Sequence, residues 1–293
     1  MNLQTIANCK LKVTISPISA ELMSIQDNAD TEYLWQGDPT YWSRRAFNIF
    51  PYIARLTEGS YYYEGKRYNM DIHGFLPKTE MAVESATEDS VTFFMRDSES
   101  TLKSYPFPFE LRIGYTLIDN RINVSYDVLN TGKKRMFFGI GGHPGFNVPL
   151  DPELEFTDYY LEFAEKHKPL RIGFSDDCFV NGIDKKFTLE EDYRLPLRHG
   201  LFDDDAIILQ DASHTVTLKS DKDSKAITVS YPDMPFIGFW HRPQTDAPYV
   251  CIEPWSSLPS RDSIVEDITE QPNLIGLDPG KRYSNVWSIE IHA

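Results

Sequence analysis

The sequence predicts an all-β protein, a large and mostly antiparallel β-sandwich, and three observations carry that expectation. The first is strict alternation. Phe109, Leu111, Ile113, Tyr115 and Leu117 take turns with Glu110, Arg112, Gly114 and Thr116, and Ile122, Val124, Tyr126 and Val128 take turns with Asn123, Ser125 and Asp127. Successive side chains of a strand point to opposite faces, so a period of two marks two half-buried strands, and Asp119-Asn120 between them supplies a hairpin turn. The second is the abundance of similar short apolar segments, about fifteen, with few convincing helices. The third is the even spread of 19 prolines and 16 glycines, which punctuates the whole chain rather than one linker.

Taken in order, strands are expected at 11–17, 21–26, 32–35, 60–63, 80–85 and 91–95, then the hairpin just described. Further strands are expected at 159–163, 215–218, 226–231, 236–240, 249–252 and 285–291. The stretch Gly139-Ile140-Gly141-Gly142-His143-Pro144-Gly145-Phe146-Asn147-Val148-Pro149 reads as a glycine-dense turn that can crowd a ligand. Residues 169–199 are polar and irregular, which suggests a long surface excursion. No fixed-period repeat is visible, which excludes propeller and solenoid arrangements. Residues 1–293 read as one domain, since sandwiches reach ~200–250 residues as single units.

Composition narrows the partners. With 41% hydrophobic and 25% charged residues the chain is an ordinary globular protein with material for a large core. A net charge of −15 argues against nucleic acid and anionic membrane surfaces, and favours a small molecule of little charge. The first residues lack a basic segment and an apolar stretch, and no apolar run approaches the ~18 residues that span a bilayer, so a cytoplasmic location is expected. Cys9, Cys178 and Cys251 are odd in number and far apart, which predicts buried thiols rather than disulfides or a zinc site. Nothing in the sequence fixes an oligomeric state.

Five positions could carry chemistry. Arg55 closes the apolar run 50–54, where a cation either snorkels to solvent or points into a polar pocket. His73 and His143 both stand beside glycine and near an aromatic residue. Asp205 ends an acidic run ahead of the apolar segment 206–209, a pattern most often just a turn. Glu253 closes the strand expected at 249–252 and precedes Pro254 and Trp255; an acid there would be partly desolvated, and burial raises a carboxyl pKa toward the range of a general base.

These positions sit in a series of motifs: Tyr33-Leu34-Trp35-Gln36, Phe50-Pro51-Tyr52-Ile53-Ala54-Arg55-Leu56, His73-Gly74-Phe75, Gly142-His143-Pro144-Gly145-Phe146-Asn147, Asp205-Ala206-Ile207, Glu253-Pro254-Trp255 and Leu277-Asp278-Pro279-Gly280-Lys281-Arg282-Tyr283. In order and spacing the series resembles the aldose 1-epimerase (galactose mutarotase) family, and more closely its mutarotase-related branch of small bacterial proteins. The resemblance implies a galactose mutarotase-like supersandwich, a small-molecule sugar substrate, and neither cofactor nor metal. It implies His143 as general acid and Glu253 as general base. His73 would bind the sugar near its ring oxygen, and Arg55 and Asp205 would contact hydroxyls, with Asp204 as the alternative to Asp205.

The galactose enzymes usually carry Asn before the arginine and Gly-Gly after the first histidine, whereas this chain has Ala54 and Gly74-Phe75. That leaves glucose, galactose or another hexose open, and a hexose 6-phosphate beside them. A phosphate would call on Arg44, Arg45, Lys78, Arg242 or Arg261, each more often an ordinary surface charge. A stacking tryptophan would come from Trp35, Trp42, Trp240 or Trp255. Three other classes compete. A noncatalytic sugar-binding protein need not retain an acid and a base together. A metal-dependent hydrolase would be expected to show a close ligand pair, and none is present. A glycoside hydrolase would use paired carboxylates, and the only companion to Glu253 is Asp205.

Overall fold

The structure, a computed structural model, describes residues 2–293. Twenty-three strands dominate it. The alternating hairpin forms as expected: Phe109–Ile118 pairs with Arg121–Asn130 around a two-residue turn, Arg121 facing Ile118. These two strands lie inside a nine-stranded antiparallel sheet, whose order is Arg194–Pro196, Tyr159–Phe163, Thr215–Ser220, Ala226–Ser230, Arg282–His292, Arg121–Asn130, Phe109–Ile118, Ser90–Arg96 and Ala82–Ala86. Their apolar positions, among them Ile113, Tyr115, Ile122 and Val124, are buried in the main core.

The second large sheet has seven strands, in the order Lys185–Lys186, Leu170–Arg171, Ile207–Gln210, Phe236–Trp240, Tyr249–Trp255, Gly141–Asn147 and Ala46–Ile49. One face supplies Ile207, Leu209, Ile237, Phe239, Val250 and Ile252 to the same core as the nine-stranded sheet, which makes the sandwich. Its other face carries a different apolar set, including Phe47, Ile49, Ile208 and Trp255. That second face holds the candidate site.

Several expectations need correction. The segment expected to be a turn is a strand, Gly141–Asn147, buried almost throughout and hydrogen-bonded on both sides. Its glycines are packing devices: a Cβ on Gly142 would stand 2.6 Å from Trp287 Cζ2, so the indole of the opposite sheet occupies the space a side chain would need. Pro144, lacking an N–H, falls between the pairs Gly141–Trp255 and Gly145–Cys251, where no paired register is made toward the strand Tyr249–Trp255. Residues 32–35 form only isolated bridges, Gln26 with Glu32 and Leu34 with Phe146. Ala46–Ile49 was not expected because all four of its residues are buried and no alternation shows. Residues 169–199 run mostly along the surface with few buried positions, as expected, yet contribute three very short strands to sheet edges. The thiols were expected to be buried; Cys9 is exposed and Cys178 half-buried, leaving Cys251 alone inside.

The Trp287 contact predicts that Gly142→Ala lowers stability by about 1–3 kcal/mol through overpacking. Denaturant unfolding measures the loss, and the double variant with Trp287→Phe should recover part of it; a double variant no more stable than Gly142→Ala would place the strain elsewhere.

Candidate active site

Register alone assembles the centre of the site. Antiparallel partners share a face, and Phe47 is opposite His143. The pairs Gly141–Trp255 and Gly145–Cys251 put His143 across from Glu253, which is itself opposite Gly238, and Gly238 is opposite Ile208. A single row therefore crosses five strands as Phe47, His143, Glu253, Gly238 and Ile208. Along Tyr249–Trp255 the alternation sends Val250 and Ile252 into the main core, and Cys251, Glu253 and Trp255 to the other face. Gly238 keeps the row open beside Glu253; an added Cβ would meet Ile208 Cδ1 at 2.9 Å.

Above this row lies a cavity of about 670 Å³. Every candidate residue lines it: Arg55, His73, His143, Asp205 and Glu253, and so does the alternative Asp204. The segment 50–75 contributes Arg55 and His73 through interlocked backbones. Ala54 N–H donates to His73 Nδ1 at 3.2 Å, and His73 N–H donates to the Ala54 carbonyl at 2.7 Å. Because Nδ1 accepts, a neutral His73 carries its proton on Nε2. Gly74 completes the clamp at φ +76°, where a Cβ would stand 2.3 Å from the Phe50 carbonyl oxygen.

His143 and Glu253 meet at the cavity floor. His143 Nε2 lies 3.3 Å from Glu253 Oε2, and both side chains are more than nine-tenths buried. The other imidazole nitrogen, Nδ1, has no partner among the described residues, nor does Glu253 Oε2 beyond this approach. Burial, and secondarily the Asp205 charge, pushes the Glu253 carboxyl well above its ordinary range. Burial, and then the neighbouring His73, pulls the His143 imidazole well below its own. His73 is drawn down to about 3, by burial first and then by the Arg55 and Arg44 guanidinium charges. Both shifts favour the uncharged forms, a carboxylic acid at Glu253 and a neutral imidazole at His143. Aromatic rings fix the imidazole, with Phe47 at 4.7 Å and Trp42 at 4.9 Å between centroids and Trp240 edge-on at 5.7 Å.

Asp204 is exposed, whereas Asp205 is half-buried and accepts the Cys178 thiol proton, Sγ to Oδ2 at 2.8 Å. Cys178 was not expected at a site; burial, then the Asp205 carboxylate, pushes its thiol up to about 12, so it acts as a donor. Five non-glycine residues of the cavity wall adopt left-handed backbone: Ala54, His73, Cys178, Asp205 and Gln244. Such conformations persist only where surroundings over-determine them, and they gather at functional sites. Trp42, Trp240 and Trp255 line the cavity, while Trp35 packs outside its lining, stacked on Tyr249 at 4.7 Å.

One group of possible metal ligands exists among the described residues: His143, Cys251 and Glu253, whose ligand atoms lie within 4.8 Å of one another. Burial and the Glu253 charge push the Cys251 thiol up, so thiol and carboxyl both hold the protons a metal would displace. Among the described residues no helix is long and apolar enough to cross a membrane.

The sequence model of the family described as aldose 1-epimerase matches residues 2–289. The chain belongs to the aldose 1-epimerase family. It shares 33% identity over 283 residues, 93% of this chain and 94% of the relative, with the protein LacX, plasmid, of Lactococcus lactis subsp. lactis. A galactose mutarotase related enzyme from Lactobacillus acidophilus superposes at a TM-score of 0.95 with 35% identity, covering 100% of this chain and 98% of the other. A galactose mutarotase-like protein from Lactobacillus casei does so at 0.94 with 32% identity, covering 99% and 100%. These matches place the aldose 1-epimerase chain in the mutarotase-related branch and make it a sugar isomerase of the epimerase and mutarotase type.

Folding lifts the Glu253 pKa above the unfolded value near 4.5, so the native state keeps a proton that the unfolded state releases. The native state then binds more protons, and this residue's contribution falls as pH rises from the unfolded toward the folded pKa. Glu253→Gln removes that dependence. The variant should melt above the parent, with a gap that widens from pH 4.5 upward and is small at or below it. Thermal melts across this range decide it, and a gap that narrows as pH rises would show that Glu253 is not buried as an acid.

Proposed function

We propose that the protein interconverts the α and β anomers of a hexose, with Glu253 and His143 as the proton-exchanging pair. One observation carries this reading: the carboxyl and imidazole are direct neighbours at the floor of a cavity sized for a small ligand. Ring opening removes a proton from the C1 hydroxyl and delivers one to the ring oxygen. Both oxygens are bonded to C1, so the acid and base that serve them must stand side by side. Two carboxylates straddling a glycosidic bond would instead be held ~5 Å or more apart.

The proton count also closes. In one direction Glu253, as carboxylate, takes the C1 hydroxyl proton while protonated His143 gives its own to the ring oxygen. The C1–O5 bond breaks and the aldehyde forms. Rotation about C1–C2 presents the other face, and the reverse transfers close the ring. The pair holds one proton before and after, the content its burial favours at rest, and no cofactor or metal enters. His73, through Nε2, and Arg55 and Asp205 are placed to hold hydroxyls. Trp42, Trp240 and Trp255 offer apolar faces for the sugar ring.

An unphosphorylated hexose fits better than a hexose phosphate. Arg44 is bound to Glu21, Arg45 to the Met23 carbonyl and Gln36, Lys78 to Asp71 and Arg261 to Glu266. Arg55 and Arg242 remain at the cavity wall, opposed there by Asp204 and Asp205.

Anomer exchange followed by NMR tests the mechanism. Glu253→Gln and His143→Asn should each slow exchange by ~10²–10⁴-fold, and the double variant should lose little more, because the two act as one unit. The rate should follow a bell-shaped pH profile. Its acid limb would lie below the ordinary imidazole range and its alkaline limb above the ordinary carboxyl range, both belonging to the pair. Near-native exchange in either variant would remove that residue from the mechanism. Dialysis against a strong chelator should leave the rate unchanged; loss on chelation, restored by a transition metal, would favour a metal-dependent reading instead.

A further inference from the structure

We propose that Trp255 is a positioning residue for the acid and base, its indole N–H serving as the donor that receives the Glu253 carboxylate each time the carboxyl ionises. This rests on the mutarotase reading and adds a residue to its proton chemistry. Glu253 has two neighbours on its own strand that share its face, Cys251 and Trp255. A thiol is a weak donor, whereas an indole N–H donates and never accepts, so it gains most when the facing oxygen is charged.

Two orphaned atoms stand on this face. Trp255 Nε1 is buried without a partner among the described residues, and so is Glu253 Oε2 apart from its approach to the imidazole. The face of the Trp255 ring lines the cavity, yet Nε1 itself is enclosed, so a sugar oxygen is not its acceptor. A buried donor left unpaired is costly, and such a cost persists where another state of the molecule satisfies it. The indole N–H favours the ionised form of Glu253, against the larger opposing effect of burial.

The sheet fixes the ring in that place. One step along the strands from the row of His143 and Glu253 runs a second row, Ile49, Gly141, Trp255 and Phe236. Gly141 leaves the notch in which the indole lies; an added Cβ would stand 3.0 Å from Trp255 Cδ1, the atom bonded to Nε1. Ile49 and Phe236 belong to the apolar cluster that packs the same ring. In the reaction the C1 hydroxyl proton passes to the Glu253 carboxylate, and the indole keeps its own proton throughout. Its part is to hold the carboxylate while that charge exists.

The test removes the N–H and keeps the ring, in Trp255→Phe and, with closer shape, by incorporating benzothienylalanine at position 255, where sulfur replaces the N–H. In both, kcat for anomer exchange should fall ~10–100-fold, the worth of a hydrogen bond to a charged group, while KM stays within about threefold. Besides Trp255, the titratable groups around Glu253 are His143, Asp205, Cys251 and Tyr249. None of these is changed by the substitution. The acid limb of the pH profile should therefore stay, because Glu253 is protonated on both sides of it. The alkaline limb should move to higher pH, because the carboxylate formed there has lost its donor. In a Glu253→Gln background Trp255→Phe should cost less than about threefold more. An unchanged kcat in the benzothienylalanine protein, a loss carried by KM, a fixed alkaline limb or a full further loss beside Glu253→Gln each overturns the role of Trp255 and leaves the mutarotase reading standing. Near-native exchange in Glu253→Gln alone overturns both.

Discussion

The rest of the molecule answers to one constraint, the burial of a carboxyl against an imidazole with no counter-ion. Left to water, Glu253 would ionise and His143 would share protons with solvent; enclosed together, each is driven toward neutrality. Charge separation in such surroundings is costly, and so is a polar atom without a partner. The single proton that the pair can pass back and forth limits both penalties. It also gives each group a pKa displaced toward the other's task, which acid and base chemistry near neutral pH requires.

A pair under that strain must be held by something stiffer than a loop. Here both members stand on neighbouring interior strands of the seven-stranded sheet, with Phe236–Trp240 and Ala46–Ile49 bonded outside them. The opposite sheet braces them through Trp287 packed on Gly142. The groups that would handle the sugar are mounted differently. Arg55, His73, Cys178 and Asp205 come from irregular segments, and three of those four, with Ala54, have left-handed backbone. In the proposed mechanism, proton transfer is thus built on the rigid layer, and hydroxyl recognition on loops that can differ between relatives without disturbing it.

How much of this was legible differs from element to element. The hairpin 109–128 was plain because half-buried antiparallel strands alternate. The Gly141–Asn147 strand was opaque because its glycines and prolines, which locally signal a turn, are there to admit Trp287, Trp42 and Trp255 from distant parts of the chain. Ala46–Ile49, buried on both faces, had no alternation to show. The candidate residues were singled out through their motifs, and the structure gathers all five at one cavity. Cys178 was missed since its only signal is contact with Asp205, 27 residues away, which a lone cysteine does not announce.

The same separation of rigid chemistry from variable recognition accounts for the shape of the site. A row of facing residues on a sheet has no natural end where the reaction ends. It continues strand by strand until a side chain or a loop interrupts it. On one flank of the pair the row ends at Phe47 on the edge strand Ala46–Ile49, with the Arg44 guanidinium over its ring at 4.7 Å. On the other flank Gly238 removes the obstruction, and Ile208 and Ile172 keep the floor low and apolar as far as the sheet edge. The open direction therefore runs away from Arg44, past Asp205 and toward the sheet edge.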